Sequence, residues 1–322
     1  MGHPLVSILI PVYKRTALAV EAIECALSQD YEEIEIIVGD NCSPDGTFEL
    51  LNKKFSKNEK VIFFQNERNL GAVGNWERCL ARAKGKYVKF LWSDDLMAVD
   101  CISKSVSLLE MYQRAAFVYS SVLIFSDLNQ LKDIVNDKKS VQCRLCRGTK
   151  IFKGEKFIRA AFCRSYTLPV SPCCAVFRRE KLHIVGDIPN KIGYDHRKNG
   201  AGPDILMFLE AAAEGETFVY MDYPASFFRK HSESITSLDN TITEGYWTAK
   251  QYFLREHGLE KYWKPLNSAI ISHTNHNKIF SRKQNICALS RFLDIEDIHI
   301  TEHSVISVIA HKIKRLLYLL SH

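Results

Sequence analysis

The sequence predicts an α/β fold, a mostly parallel doubly wound sheet followed by a helical C-terminal region. Three observations predict it. Short apolar runs alternate with segments of helical periodicity, in units of about 30 residues, which is the pattern of parallel strands joined by right-handed crossovers. Three of the apolar runs end in polar clusters, as strands feeding a ligand site do. The rhythm breaks after residue 125, and from about residue 241 the pattern is helical to the end.

The elements follow in order. Residues 6–12 are a β-branched apolar run closed by Pro11-Val-Tyr13, and residues 18–29 carry Ala19, Ala22, Ile23, Ala26 and Leu27 on one helical stripe. Residues 34–38 form a second strand, ended by the turn-forming Asp40-Asn-Cys-Ser-Pro-Asp-Gly46. A helix over 47–55, a strand over 61–64, a helix over 75–83 and a strand over 87–91 continue the alternation. A helix is expected over 102–112 and a strand over 116–125. Residues 127–149 are polar and read as a loop or small hairpin; apolar patterning resumes at 172–177. A helix over 204–214, a strand over 217–223 and the basic segment 228–236 complete the predicted domain. Residues 1–236 are therefore expected to form one domain, with halves of about 1–125 and 126–236, and residues 237–322 a helical extension.

With 322 residues, 46% hydrophobic and 25% charged, the chain is neither a disulfide-stapled miniprotein nor a disordered tail. Its 43 Lys+Arg against 37 Asp+Glu give a net charge of +6, which suits a phosphate-bearing ligand or an anionic surface. No nucleic-acid partner is expected. No segment reaches the roughly 18 uninterrupted apolar residues of a membrane span, and the N-terminal run lacks the basic flank and cleavage site of a signal peptide. A cytoplasmic protein with reduced cysteines is expected. Cys143-x-x-Cys146 with Cys173-Cys174 supplies four thiols, a weak match to zinc-knuckle spacing; core and surface thiols are the preferred reading.

In an open parallel sheet, ligands bind beyond the C-terminal ends of the strands. Pro11–Arg15, Asp40–Asp45 and Ser93-Asp94-Asp95 occupy those ends. The first turn has no glycine, so a dinucleotide fingerprint is absent, and no P-loop occurs. A divalent cation held by carboxylates is the remaining way to neutralise bound phosphates. Asp94 and Asp95 are its natural ligands, because two adjacent carboxylates repel each other unless a cation or donors compensate. A helix N-cap at the start of the pattern from Leu96 accounts for one of them.

These stretches carry a resemblance. Val6-Ser-Ile-Leu-Ile-Pro-Val-Tyr13, Ile37-Val-Gly-Asp-Asn-Cys-Ser-Pro-Asp-Gly-Thr47, Asn69-Leu-Gly71 with Asn75, and Ala83 through Trp92-Ser-Asp-Asp95 resemble the inverting family 2 glycosyltransferases of the GT-A fold, especially bacterial enzymes of surface-polysaccharide and O-antigen assembly. Gly202-Pro-Asp204 and Arg229-Lys-His231 extend the match to residue 236. The resemblance implies that Pro11, Tyr13, Arg15, Asn75 and Asp40 surround the nucleoside of a nucleoside diphosphate sugar. Asp40 would accept from the N3–H of uracil or thymine, and Asn41 would either contact the nucleoside or form its turn. Ser93, Asp94 and Asp95 match the DXD-type motif, Asp95 as direct ligand of Mn²⁺ or Mg²⁺ and Asp94 nearer the ribose and diphosphate. Trp92 stands where a leading Asp is common, and Pro203 where an acid is common.

Inverting transfer to a hydroxyl needs a base on the acceptor side. Asp204, opening a helix after Ala201-Gly-Pro203, matches the family's base; helix capping is a compatible second role. Arg229 and His231 would close on the diphosphate, with His231 as metal ligand or phosphate donor. The expected acceptor is a glycan, in the family often lipid-linked. Residues 304–320 are apolar with Lys312, Lys314 and Arg315 and no acid, which suits a helix on the cytoplasmic face of the inner membrane or one packed on the domain or in an oligomer. The alternatives are a sugar nucleotidyltransferase, against which the non-glycine first loop argues, and an inactive nucleotide-sugar-binding protein, for which Trp92 is the mark.

Overall fold

The structure is a computed structural model that describes residues 2–277 except 136, 138–139, 164–167, 169–170, 233 and 235–240. The helical segment expected over 304–320 lies outside the described residues.

Strands β1 (Val6–Val12), β2 (Ile34–Asp40), β3 (Val61–Gln65) and β4 (Tyr87–Phe90) pair in parallel in the order β3-β2-β1-β4. Helices α1 (Thr16–Leu27), α2 (Thr47–Phe55) and α3 (Gly71–Leu80) are the crossovers. Side chains alternate between the two sheet faces. Val6, Ile8, Ile10 and Val12 share a core with Ala22 and Ile23 of α1 and Leu51 of α2. Leu9 and Ile37 pack instead with Val73, Trp76 and Cys79 of α3. That division is the double winding predicted from the sequence.

The second half adds β5 (Leu96–Met97), α4 (Cys101–Met111), β6 (Ala115–Phe125), α5 (Leu128–Ile134), β7 (Lys150–Lys153), α6 (Gly154–Cys163) and β8 (Ala175–Arg178). Then come α7 (His196–Asn199), α8 (Pro203–Glu214), β9 (Thr217–Arg229), α9 (Ile242–Glu256) and α10 (Trp263–Asn277). β8 runs antiparallel between β4 and β6, so parallel pairing fills the first half and a mixed pattern the second. Trp92 Nε1 donates to Ser171 Oγ at 2.8 Å. The chain therefore enters β8 at the end where β4 exits, and has to run back.

β9 is long because it serves two partners on one edge. Its first residues pair with β7 and its last with β5, while β6 runs parallel along the other edge. The register slips between Ser120/Met221 and Ser121/Pro224, leaving Asp222 and Tyr223 as extra residues on β9. Leu96, where the sequence pattern begins a helix, lies in β5 instead; its pairing with Phe227 supplies the backbone partners. Residues 127–149 contain a short helix, α5, capped by Asp127, whose side chain accepts from Asn129 N and Gln130 N.

Phe117 is the hub of the larger core. Its ring lies 5.3–5.5 Å from those of Phe157, Phe177, Phe208 and Phe218. Trp247, Phe253 and Leu254 of α9 and Leu266 and Ile270 of α10 belong to the same core. These side chains pack into the larger core from beyond the boundary expected at residue 236. Phe117→Ala is expected to cost about 3–5 kcal/mol of unfolding free energy, read by urea denaturation of the whole chain.

Candidate active site

A cleft of about 1280 Å³ opens at the C-terminal ends of the parallel strands. It brings together Pro11, Tyr13, Arg15, Asn41, Asn75, Ser93, Asp94, Asp95, Asp204 and Arg229, ten of the residues singled out from the sequence. Asp40 is buried beside the cleft, and His231 reaches it through its bond to Asp94.

The β1–α1 turn has no glycine, and its backbone is strained accordingly. Lys14 and Arg15 take left-handed conformations, with φ 61° and 64°, each costing about 1–3 kcal/mol. Two bonds hold them: Lys14 N–H donates to Ser43 Oγ at 2.7 Å, and Arg15 Nη1 meets Asp94 Oδ2 at 2.9 Å. Arg15 occupies the N-cap position of α1 but makes no capping bond, so its side chain serves the cleft instead.

Behind the turn lies a ladder of asparagines. Asn41 Oδ1 accepts from Leu70 N at 2.9 Å and Asn66 Nδ2 at 3.2 Å; its Nδ2 donates to Asn69 Oδ1 and Gly71 O, both at 3.0 Å. Asn66 also donates to Asn75 Oδ1, and Asn75 Nδ2 to Gly39 O. Asn41 thus ties the turn together while also lining the cleft. Asp40 is 1% exposed, and its carboxylate accepts from Ser43 N, Ser43 Oγ and Gln65 Nε2. The β2–β3 register sets Asp40 beside Gln65, and of the three donors one is on Oδ1 and two are on Oδ2, which leaves Oδ1 able to accept a further bond.

The acidic turn is positioned by the β5–β9 pairing. Asp95 Oδ1 accepts from Arg229 N at 2.9 Å, and Asp94 O accepts from Arg229 Nε at 3.0 Å. Asp94 Oδ2 takes both Arg15 Nη1 and His231 Nε2, each at 2.9 Å. Burial and the neighbouring Asp94 push the Asp95 carboxyl well above the usual range. The Arg229 guanidinium pairs with Glu21 of α1 and lies 4.7 Å from the Phe125 ring centroid. It braces the turn and lines the cleft. The capping role considered for Asp94 or Asp95 does not arise, since β5 follows.

Trp92 stacks on Trp76 of α3, with ring centroids 4.9 Å apart and planes at 27°, and both line the cleft. Asp204, in the first turn of α8, faces the same cleft. Its Oδ1 accepts from Gly202 N at 3.0 Å and Ile205 N at 2.7 Å, and its Oδ2 from the Tyr246 hydroxyl of α9 at 2.6 Å. Burial pushes Asp204 up to about 7 against those three hydrogen bonds, which pull it down. Gly202 takes φ +102°, and a Cβ there would come within 2.8 Å of Ala249 Cβ and Gly245 O, so only glycine lets α8 begin this close to α9.

The profile described as Glycosyl transferase family 2 matches residues 7–185, more than half of the chain. The chain belongs to that family. It is 28% identical over 259 residues to an uncharacterized glycosyltransferase of Haemophilus influenzae, across 80% of this chain and 90% of the relative. It is 37% identical over 123 residues to the Escherichia coli UDP-Glc:alpha-D-GlcNAc-diphosphoundecaprenol beta-1,3-glucosyltransferase WfaP, covering 38% of this chain and 48% of that one. The crystal structure of Staphylococcus aureus TarS residues 1–349 in complex with UDP-GlcNAc shares the fold, with a TM-score of 0.57 at 15% identity, over 95% of this chain and 79% of that one. With the family shown, the nucleotidyltransferase reading falls away.

In this glycosyltransferase, the residues missed from the sequence are the ones reached only through tertiary contact. Tyr246 meets Asp204 across 42 residues, and Glu21 meets Arg229 across 208. Cys173 and Cys174 are buried, and desolvation raises both thiols. Among the described residues no three His, Cys, Asp or Glu side chains converge as a metal cage.

Two predictions follow from these contacts. Asn41→Ala strands Leu70 N and Asn66 Nδ2, and is expected to cost about 1–3 kcal/mol in urea denaturation. The second concerns pH. Between the ordinary carboxylate range and about 7, native Asp204 holds a proton that the unfolded chain has lost, so its contribution to stability is present at low pH and falls as pH rises through that window. Asp204→Asn should make the pH 5 to pH 8 stability slope less negative by about 1–3 kcal/mol.

Proposed function

We propose that this glycosyltransferase moves a sugar, with inversion, from a UDP- or dTDP-type donor to a hydroxyl of a lipid-linked glycan, with a divalent cation at the donor diphosphate. The observation that carries the reading is a carboxylate poised near neutrality, Asp204, in the same cleft as the Asp94-Asp95 turn but on a separate element. A general base works best with a pKa near the working pH. The acceptor hydroxyl attacks the anomeric carbon as its proton passes to Asp204, and the bond from that carbon to the diphosphate oxygen breaks. Tyr13 and Arg15, on the strained first turn, flank the nucleoside and diphosphate, with the asparagine ladder fixing the wall behind them.

The residues present fit a small divalent cation. Mg²⁺ in nucleotide sites takes one or two carboxylates and completes its shell with phosphate oxygens and water, so a three-residue protein cage is not required. Asp95 and His231 would hold it, and the crowded Asp94-Asp95 pair is the kind of charge a cation relieves. A bound Mn²⁺ or Mg²⁺ supplies charge stabilisation to the leaving diphosphate. The WfaP name and that of a Campylobacter jejuni relative, a GalNAc(5)-diNAcBac-PP-undecaprenol beta-1,3-glucosyltransferase 28% identical over 131 residues, both carry undecaprenol-linked acceptors, which supports the acceptor class. No helix of the described residues is long and apolar enough to cross a membrane, so contact with such an acceptor falls to a surface or to residues 304–320.

Asp204→Asn is expected to keep donor binding and lower turnover by about 10²–10⁴-fold. UDP release and thermal stabilisation by UDP-glucose plus Mn²⁺ check the two halves; normal turnover would remove Asp204 as the base. In the parent enzyme kcat/KM should fall about tenfold per pH unit below pH 7. Asp95→Ala should abolish the thermal stabilisation by UDP plus Mn²⁺ while leaving the fold intact.

A further inference from the structure

We infer that Tyr246 is the positioning residue of the base, holding Asp204 ionised and aimed through its hydroxyl; this rests on the reading of Asp204 as the base. Tyr246 comes from α9, which lies beyond the family-matching residues 7–185 and in the region the sequence assigns to a separate extension.

The geometry is specific. Asp204 Oδ1 is saturated by two backbone N–H groups, which orient the carboxyl plane. Among the described residues the remaining oxygen, Oδ2, is met by one side chain, Tyr246, at 2.6 Å, a short charge-assisted distance. Both residues line the cleft, so the pair lies where an acceptor hydroxyl arrives. An O–H donor to a carboxylate favours the ionised form, opposing the burial that drives Asp204 towards protonation.

Independent contacts fix α9 where Tyr246 can do this. Thr248 Oγ1 bonds His196 Nε2 at 3.0 Å, while His196 Nδ1 lies 2.8 Å from Ala201 O, tying α9 to the loop that leads into α8. Gly202 permits the close approach of the two helices, and Gly245, one residue before Tyr246, packs against the Tyr194 ring. The titratable groups around Asp204 are therefore Tyr246 from α9 and Tyr194 and His196 from the segment before α8. Asp195, Arg197 and Lys198 share the cleft. Arg197 is committed to Glu77 and Asp187, and burial lowers His196 towards its neutral form. Among the described residues Tyr246 is the one of these groups bonded to the carboxylate, and so the one whose removal moves its titration.

The test is Tyr246→Phe in the full chain, which keeps the ring and removes the donor. The Asp204 carboxyl is titrated by ¹³C NMR with carboxyl-labelled aspartate, the signal assigned by its loss in Asp204→Asn. A rise of about one pH unit is expected, the worth of one hydrogen bond to a charged group. The acid limb of UDP release from UDP-glucose with Mn²⁺ should move up by the same amount and recover at high pH. Thr248→Val, which removes one contact holding α9 but keeps the Tyr246 hydroxyl, should lower the melting temperature and shift the Asp204 titration by less than Tyr246→Phe does. An unmoved Asp204 signal in Tyr246→Phe overturns the inference, as does a titration shifted equally by Thr248→Val. A shifted signal combined with full turnover by Asp204→Asn overturns the base reading, and the positioning role with it, while leaving the hydrogen bond as observed.

Discussion

The two-residue pairing between β5 and the end of β9 is the contact on which the site depends. It sets Leu96 beside Phe227 and thereby carries Asp94 and Asp95 up to Arg229. Without it the chain after β4 would be an ordinary strand-to-helix turn, and the acidic residues would face solvent at the top of the first half. The slip in register along β9 makes the pairing possible, since the strand has to abandon β7 before it can accept β5. A bulge in one long strand thus joins the nucleotide-side half to the remainder of the fold.

Charge compensation around that contact follows one rule, that buried ionised groups need partners. Asp94 has Arg15 and His231, Arg229 has Glu21, and buried Lys89 donates to Cys173 O and Ser226 Oγ while offsetting part of the Asp95 charge. Asp95 has the Arg229 N–H, the Cys173 thiol and the more distant Lys89, yet burial and Asp94 still lift its carboxyl above the usual range. The asparagine ladder does the same for the other wall without charge. Four amides satisfy turns that would otherwise leave backbone groups unpaired.

Much of this was legible in the sequence. Period-two apolar runs and helical stripes located β1 to β4 and α1 to α4 because each buries one face against a continuous sheet, and local patterning is then sufficient. The polar strand ends marked the cleft for the same reason. What the sequence could not carry was partner choice. The segment from Leu96 has helical patterning but becomes strand because β9 offers it a ladder. Asp40 and Arg229 also bond Gln65 and Glu21, partners set by tertiary contacts that no local pattern records. Nor does local pattern record that α9 and α10 join the larger core, since an amphipathic helix reads alike whether it covers its own domain or a neighbour.

The stacked indoles of Trp76 and Trp92 have a consequence of a different kind. Two of the four tryptophans in the chain form a face-to-face pair on the cleft wall, while Trp247 is buried in the core. Such a pair couples its electronic transitions, so the enzyme carries a built-in chromophore whose near-ultraviolet circular dichroism and emission depend on the spacing and surroundings of the rings. Arrival of a ligand in the cleft changes both, and occupancy is then visible in the unlabelled protein without any chemical turnover.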